Sequence, residues 1–266
     1  MSVLIILISE AHITTIKEYT MNSDKIIEIL KELKLNGFCD AYSEQLEGNH
    51  ASQLSFEERL SIYLDREKLH REDRRLSNLL RQAKLRTNSS IEDISINTKR
   101  NLTKDQLQPF YSAHFIKHKY NVAITGASGC GKTHIACAIA HKACQLGYKV
   151  KYIHLPMFIE QIVISRADGS YMKLIQQFKK FDLLILDDFG LTAISKQQTH
   201  DLFNIIEERH EFSSTIITSQ LPISRWYDYL NEPTLADAIM DRFTQRLHRI
   251  ELKGESMRKN KNIASA

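Results

Sequence analysis

Short apolar runs alternate with amphipathic helical segments through the second half of the chain. Apolar runs that predict strands lie near 121–126, 149–155, 181–187, 215–220 and 248–253. Between them, apolar residues recur at helical spacing. This alternation is typical of a parallel sheet covered by helices on both faces, which binds its ligand at the carboxyl ends of its strands. The pattern therefore predicts an α/β fold.

The region 23–86 shows helical periodicity only. Its first apolar stripe consists of Ile26, Ile27, Leu30 and Leu33. A polar stretch that is typical of a linker starts at Thr87. We therefore expect a helical N-terminal domain with its linker over 21–100 and the α/β domain over 101–266.

The first twenty residues precede Met21, which is a natural start because a helix cap follows directly at Ser23. We expect residues 1–20 to be an extension that is not part of the fold. The alternative is that the apolar run 3–8 packs against the N-terminal domain, because six consecutive apolar residues are seldom left in water.

A glycine-rich loop follows the first predicted strand and matches the pattern G-x-x-x-x-G-K-[ST]. It consists of Gly126, Ala127, Ser128, Gly129, Cys130, Gly131, Lys132 and Thr133. Glycines let the backbone curl so that successive N–H groups converge on phosphates. Lys132 then neutralises the β- and γ-phosphates, and Thr133 offers its hydroxyl to Mg²⁺. The loop predicts binding of a nucleoside triphosphate with Mg²⁺.

A second motif, the apolar run 181–186, ends in two carboxylates, as in a Walker B strand. We expect Asp187 to hold Mg²⁺ through its water shell and Asp188 to act as the general base that polarises the attacking water. Many ATPases carry glutamate at the second position, and aspartate is one methylene shorter. A strand followed by an Asx turn is the alternative interpretation.

Three further side chains are candidates for contacts with the γ-phosphate. Gln220, at the end of the run 215–220, can donate an amide N–H to the phosphate or to the lytic water. The alternative is an ordinary strand end that is capped by Ser219. Arg242 and Arg258 each have an ordinary surface alternative, and one of the two is a candidate to insert its guanidinium into a neighbouring subunit's site.

Composition places the chain among ordinary globular proteins. Of its 266 residues, 42% are hydrophobic and 26% are charged. No run approaches the roughly 18 to 20 apolar residues that span a membrane. The run 3–8 is too short for a signal-peptide core and has no basic flank before it. We expect a cytoplasmic protein that has no membrane partner.

The net charge of +4 is compatible with a nucleic-acid partner. Basic side chains crowd the segment 59–86, but acidic side chains are interleaved among them. The segment is therefore either a solvated face with i, i+4 ion pairs or a contact surface for DNA or protein.

With these motifs, the chain resembles the AAA+ ATPases of the IstB and DnaC group over residues 23–261. The resemblance is carried by G-A-S-G-C-G-K-T at 126–133, L-L-I-L-D-D-F-G at 183–190, I-I-T-S-Q-L at 216–221, D-R-F at 241–243 and G-E-S-M-R-K at 254–259. Gln220 favours the branch that assists transposition, because helicase loaders commonly carry asparagine there. A replicative helicase loader is the alternative.

The resemblance implies an AAA+ P-loop NTPase with a five-stranded parallel sheet of order 5-1-4-3-2, preceded by a small all-helical domain. It implies ATP and Mg²⁺ as cofactors and ATP-dependent assembly of a homo-oligomer on duplex DNA. The helical domain is then expected to bind the partner, which is a transposase or, in the alternative, a replicative helicase.

By the same resemblance, Arg242 matches the arginine finger between subunits and Arg258 matches a sensor arginine near the C-terminus. Family members also insert helices before the Walker B strand to grip DNA, and 156–180 is the corresponding region here. Its candidate phosphate contacts, each with an ordinary surface alternative, are Arg166, Lys173, Lys179 and Lys180.

Two other classes of protein share such a loop. A small-molecule kinase usually needs an arginine-rich lid and an acceptor pocket, whereas the sequence after Asp188 has a sensor-like strand and the D-R-F motif. A nucleotide-gated interaction module binds ATP without useful turnover. ATP hydrolysis measured with and without duplex DNA separates these possibilities.

Overall fold

The computed structural model of the chain describes residues 23–47, 54–96, 98–254, 256 and 257. The predictions for residues 1–20 and for Arg258 fall outside these described residues. By internal contacts the chain divides into two compact units, Met1–Arg75 and Leu76–Ala266.

The smaller unit is helical where the structure describes it, as the sequence predicted. It contains α1 (Ser23–Glu32), α2 (Asn36–Glu47) and the first part of α3 (Phe56–Ala83). The helices α2 and α3 pack closely at Gly37, where an added Cβ would lie 2.6 Å from the carbonyl oxygen of Arg66. Beside this contact, the rings of Phe38 and Tyr63 lie 4.8 Å apart between centroids. A side chain at position 37 would therefore force the two helices apart.

The larger unit alternates strands and helices. Its strands are β1 (Asn121–Gly126), β2 (Val150–His154), β3 (Leu183–Phe189), β4 (Ser214–Ser219) and β5 (Leu247–Leu252). Its α-helices after α3 are α4 (Lys104–Tyr111), α5 (His114–Lys117), α6 (Lys132–Gln145), α7 (Leu155–Ala167), α8 (Tyr171–Lys179), α9 (Lys196–Arg209), α10 (Trp226–Leu230) and α11 (Pro233–Thr244). Short 3₁₀ turns occupy Thr98–Arg100 and Ile223–Arg225.

The five strands form one parallel sheet of order β2-β3-β4-β1-β5. Read from its other edge, this is the order 5-1-4-3-2 that the family resemblance implied. The prediction of an α/β fold with a five-stranded parallel sheet is confirmed.

Alternate residues of each strand enter two different cores. In β1, Val122 and Ile124 face a core that includes the buried side of α6, whereas Ala123 faces a core that includes α7 to α11. This two-sided burial explains why the strands are apolar runs instead of alternating polar and apolar residues. Because the strands are parallel, their carboxyl ends meet at one edge of the sheet, and the glycine-rich loop and the two aspartates lie there.

The structural division differs in place from the predicted domain boundary. Leu79, Ala83, Ile91 and Ile94 are buried in the core of the larger unit. The end of the predicted helical region and the start of the predicted linker at Thr87 therefore pack as part of the larger unit. The assignment of the helical region to partner binding stays a prediction. No helix in the described parts of the chain is long and apolar enough to cross a membrane.

Candidate nucleotide-binding site

The glycine-rich loop connects β1 to α6 in a conformation that only glycine adopts readily. Gly126, Gly129 and Gly131 have φ angles of 146°, 79° and 94°. An added Cβ on Gly126 would collide with the carbonyl oxygen of Leu252. Gly131 is the N-cap residue of α6 and has no side chain that could bond the first N–H groups of the helix. The local sequence thereby builds a cradle of N–H donors that suits phosphate.

Lys132 lies over this loop with its side chain largely buried. Its Nζ donates to the carbonyl oxygens of Gly126 at 2.8 Å and Ala127 at 2.9 Å. These carbonyls are neutral acceptors, and an ammonium group bonds more strongly to charged phosphate oxygens. Ala127 and Ser128 form the exposed tip of the loop, and the side chain of Cys130 is buried beneath it.

Two segments that are distant in sequence support the loop. Arg100 donates from its guanidinium to the carbonyl oxygen of Cys130 at 2.7 Å. The backbone N–H of Met257 donates to the carbonyl oxygen of Gly129 at 3.0 Å. These contacts fix the two sides of the loop without using its N–H donors.

Asp187 is fully buried at the end of β3 and is surrounded by hydroxyl donors. Thr133 Oγ1 donates to its carboxylate, with distances of 2.9 and 3.0 Å to the two oxygens. Tyr152 donates to Oδ2 at 2.6 Å, and Thr218 donates to Oδ1. Burial raises the pKa of Tyr152, which keeps its hydroxyl protonated as a donor. The two predicted motifs therefore meet at one carboxylate.

Asp188 has an unusual backbone that turns its side chain toward the site. Its φ of 62° lies in the left-handed region, which is uncommon for residues other than glycine. The register of β3 against β4 shifts between Leu186 and Phe189, so that two residues of β3 stand opposite Thr218. The N–H of Asp188 donates to Thr218 Oγ1 at 3.1 Å. Thr218 thus holds both aspartates.

Basic side chains flank the two carboxylates. His154 Nε2 lies 3.2 Å from Asp188 Oδ2. The NH1 atom of Arg86 lies 3.5 Å from Asp187 Oδ2 and 3.6 Å from Asp188 Oδ2. A hydrogen bond with Tyr152 and the negative charges of the two aspartates raise the pKa of Arg86, so its guanidinium stays charged.

The donor atoms at this edge fit Mg²⁺. The hydroxyl of Thr133 and the carboxylate of Asp187 are hard oxygen donors, and Mg²⁺ prefers oxygen. Across the described residues, no group of three or more His, Cys, Asp or Glu side chains is placed to hold a metal ion. Mg²⁺ at this position would therefore depend on phosphate oxygens and water for most of its ligands, as is usual when it accompanies a nucleotide.

The remaining predicted site residues lie elsewhere. Gln220 follows the end of β4, and its side chain is exposed. Arg242 lies near the C-terminal end of α11, where it pairs with Glu207 and donates to the carbonyl oxygen of Ala238 at 3.1 Å.

Arg242 lies at the edge of the sheet opposite the loop. Its neighbour Phe243 accepts a hydrogen bond from the side chain of Asn121, the first residue of β1. β1 runs from there to Gly126, a length of about 16 Å for a strand. The structure therefore does not bring Arg242 to the nucleotide site of its own chain.

Sequence reasoning missed four residues that the structure places at the carboxylates, namely Arg86, Tyr152, His154 and Thr218. Part of the signal was available. Tyr152 and His154 are two residues apart at the end of a predicted strand, so they share a face. Thr218 lies in the run 215–220, in which Gln220 was the predicted site residue. Arg86 had no local signal, because it is about a hundred residues from Asp187 in sequence.

Comparison with known proteins identifies the family. Residues 28–265 match the family model described as IstB-like ATP binding protein. The insertion sequence ATP-binding protein y4pL of Sinorhizobium fredii is 40% identical over 239 residues, which cover 90% of this chain and 98% of that protein. An ATP-binding protein of insertion sequence IS1162 from Pseudomonas fluorescens is 40% identical over 205 residues, which cover 77% of this chain and 89% of that protein.

Solved structures share the fold at lower identity. The crystal structure of DnaI has a TM-score of 0.53 and 22% identity, and it covers 66% of this chain and 94% of that one. The DnaC helicase loader has a TM-score of 0.53 and 20% identity, and it covers 64% of this chain and 100% of that one. The AAA+ P-loop fold is thus confirmed, and because the family model and the relatives extend over most of the chain, this protein belongs to the IstB-like ATP-binding proteins.

Proposed function

We propose that this protein hydrolyses Mg²⁺·ATP, assembles through ATP into a homo-oligomer on duplex DNA, and recruits or activates a partner transposase. The observation that carries the hydrolytic part is the shared hydrogen bonding of Asp187, whose carboxylate joins the Thr133 hydroxyl to the strand that presents Asp188. The transposase part is supported by membership of the family and by relatives that are named as insertion sequence proteins.

Each side chain has a role that follows from its chemistry. Lys132 and the loop N–H groups bind the phosphates, and Thr133 together with Asp187, through water, holds Mg²⁺. Mg²⁺, when bound, neutralises charge on the phosphate oxygens. Asp188 is partly exposed beside the loop and accepts a proton from the attacking water. Gln220 is proposed to orient that water or the γ-phosphate.

Arg242 is proposed to complete the site of a neighbouring subunit. In its own chain it lies at the far edge of the sheet, beyond the reach of an arginine side chain from the loop. Lys119 and Arg246 line the same surface cleft, so this edge presents several cations. A cationic edge on one copy complements the phosphate site at the opposite edge of the next copy. Arg258 is proposed to contact the nucleotide from near the C-terminus.

Contacts with DNA are proposed for the exposed lysines of the 156–180 region. Arg166 is held by the buried carboxylate of Asp201 and lies 4.1 Å from the ring centroid of Tyr171. Lys179 pairs with Glu208 at 2.8 Å. Lys173 and Lys180 are exposed. Lys173 and Lys180 therefore carry this part of the proposal.

The experiment measures ATP hydrolysis with no DNA, with duplex DNA and with single-stranded DNA, using Lys132→Ala as the variant that cannot bind nucleotide. We expect wild-type hydrolysis to be stimulated by duplex DNA, and DNA affinity to fall steeply with salt as counterions are released. Stimulation by single-stranded DNA alone would instead indicate a helicase loader. Binding of ATP without hydrolysis would indicate an interaction module.

A further inference from the structure

We propose that Arg86 is the counter-ion of Asp187 and Asp188 in the metal-free protein, and that Mg²⁺ must displace its guanidinium to bind. Arg86 is then a positioning residue that makes the site accept Mg²⁺ together with nucleotide and discriminates against the metal alone. The inference rests on the proposed function, because it concerns the same Mg²⁺·ATP site.

The geometry places one guanidinium against both carboxylates. NH1 of Arg86 lies 3.5 Å from Asp187 Oδ2 and 3.6 Å from Asp188 Oδ2. Lys132, the cation of the loop, donates instead to the backbone carbonyls of Gly126 and Ala127. His154 contacts Asp188 but is charged only when it is protonated. Arg86 is therefore the permanent positive charge that the structure places between the two aspartates.

A buried carboxylate needs such a charge. Asp187 is fully buried and accepts hydrogen bonds from three hydroxyl groups, which satisfy its lone pairs but leave its charge uncompensated. Removing a carboxylate from water without a cationic partner is strongly unfavourable. The contact with Arg86 offsets part of this cost in the metal-free state.

The same contact is weak enough to be exchanged. The side chain of Arg86 is 50% exposed, so water screens its attraction to the aspartates. Its distances to both carboxylates exceed those of a direct hydrogen bond. A divalent ion carries twice the charge and can also be bound by phosphate oxygens. Mg²⁺ with a nucleotide should therefore displace the guanidinium, whereas Mg²⁺ alone competes with it poorly.

The backbone around Arg86 is anchored, so that the side chain can move alone. Leu85 packs against the core of the larger unit. Ser89 donates to the carbonyl oxygen of His134 in α6 at 3.2 Å. On the other side, Lys151 of β2 donates to the carbonyl oxygen of Gln82 at 3.2 Å. Only the side chain of Arg86 therefore has to move for the guanidinium to leave the aspartates, while the backbone beside the edge strand β2 stays in place.

The test compares metal binding without nucleotide in the full chain. Mn²⁺ serves as the spectroscopic probe in electron paramagnetic resonance titrations, and melting temperatures are measured in chelator and with Mg²⁺ alone. We expect Arg86→Ala to bind Mn²⁺ about fivefold more tightly than wild type, because a competing, partly screened charge is gone. We also expect it to melt lower than wild type in chelator and to recover with Mg²⁺ alone.

Two variants make the comparison specific. Arg166→Ala is the matched control, because Arg166 also pairs with a buried carboxylate, Asp201, at a place that lacks the second aspartate and the loop. It should lose stability and gain no metal affinity. Arg86→Lys keeps the charge and should retain the weak Mn²⁺ binding of wild type.

Equal Mn²⁺ affinity of Arg86→Ala and wild type would overturn the proposal, as would an equal gain in Arg166→Ala. If Arg86→Ala fails to fold, Arg86→Gln takes its place with the same expectations. The metal titration contains no ATP. A wild-type protein that does not hydrolyse ATP would therefore contradict the proposed function, whereas the titration would still decide the role of Arg86.

Discussion

The two edges of the sheet each bury a charged side chain, and they do so in opposite ways. At the carboxyl edge, Asp187 is held by the side chains of Thr133, Tyr152 and Thr218 and faces the half-exposed Arg86. At the amino edge, Arg209 is buried. Burial lowers the pKa of Arg209 to about 9, which is still above neutral pH, and the side chain therefore remains charged.

Arg209 is held by the backbone. It donates to the carbonyl oxygens of Phe178, Phe181 and Ser214 at 2.6, 2.9 and 2.7 Å. Backbone carbonyls cannot leave without unfolding their elements, so Arg209 fastens the start of β4 to the end of α8. Hydroxyl groups and a half-exposed guanidinium can change partners without unfolding an element. The comparison teaches that a buried charge with exchangeable partners indicates a ligand site, whereas one with fixed partners indicates architecture.

The largest expected effect comes from a change at Arg242, which lies toward the amino edge and is proposed to act at the carboxyl edge of another copy. Arg242→Ala should bind ATP as wild type does and lose about 10³-fold or more of its DNA-stimulated hydrolysis, since an arginine finger stabilises transition-state charge. The measurement is steady-state ATPase activity with duplex DNA.

Arg225→Ala is the control for that variant, because Arg225 is an exposed arginine paired with Asp228. Mixing Arg242→Ala with Lys132→Ala protein should restore some activity, because a mixed junction can form one complete site. If the two proteins co-assemble and no activity returns, the proposal that Arg242 acts on a neighbouring subunit is wrong.

A change at the carboxyl edge should alter chemistry more than stability. Asp188→Asn removes the proposed base while leaving the phosphate contacts in place, so hydrolysis should fall by about 10²- to 10⁴-fold. Nucleotide affinity, measured by titration with a fluorescent ATP analogue, should remain. Lys132→Ala is the contrasting variant, which should lose binding itself. Wild-type turnover in Asp188→Asn would refute the assignment of the base.

A change at the amino edge should alter stability more than chemistry. Arg209→Ala leaves three buried carbonyl groups without their donor, and we expect it to lower the free energy of unfolding by about 3–5 kcal/mol. Chemical denaturation measures this loss. Arg249→Ala, an exposed arginine of β5, should change stability by less than about 0.5 kcal/mol. If Arg209→Ala lowered the free energy of unfolding only slightly, the hydrogen bonds from Arg209 to the backbone would not be important for stability.

The smallest effect concerns the ion pair between Glu92 and Lys142, whose atoms lie 2.9 Å apart on the surface of the larger unit. Hydrogen bonds from Ser90 and from Lys142 lower the pKa of Glu92 to about 2. Because the folded-state pKa is lower than the usual 4.5, the contribution to stability is complete above pH 4.5 and is lost as the pH falls toward 2.

Glu92→Gln should therefore reduce the free energy of unfolding at neutral pH by less than about 1 kcal/mol, with a smaller difference at high salt. The difference from wild type should shrink as the pH falls from 4.5 toward 2. Glu160→Gln, at an exposed position of α7, is the control. A difference that grows on acidification would contradict the direction of the shift.

The sequence by itself determined the sheet, the loop and the acidic strand end. Their signals are local: apolar runs of strand length, glycines at 126, 129 and 131, and two carboxylates that follow a buried strand. Strand order came from the family resemblance, and the sheet confirms it. Such features are readable because the residues that define them are adjacent in the chain.

Only the tertiary structure decided which side chains surround the aspartates. Arg86, Tyr152 and Thr218 come from three separate segments, and no spacing rule connects them with Asp187. The shifted register at Asp188 depends on how β3 meets β4, which the sequence of β3 alone does not specify. The position of Arg242 at the far edge likewise follows from the path of α11 into β5. These properties depend on contacts between distant segments, and local pattern carries little information about such contacts.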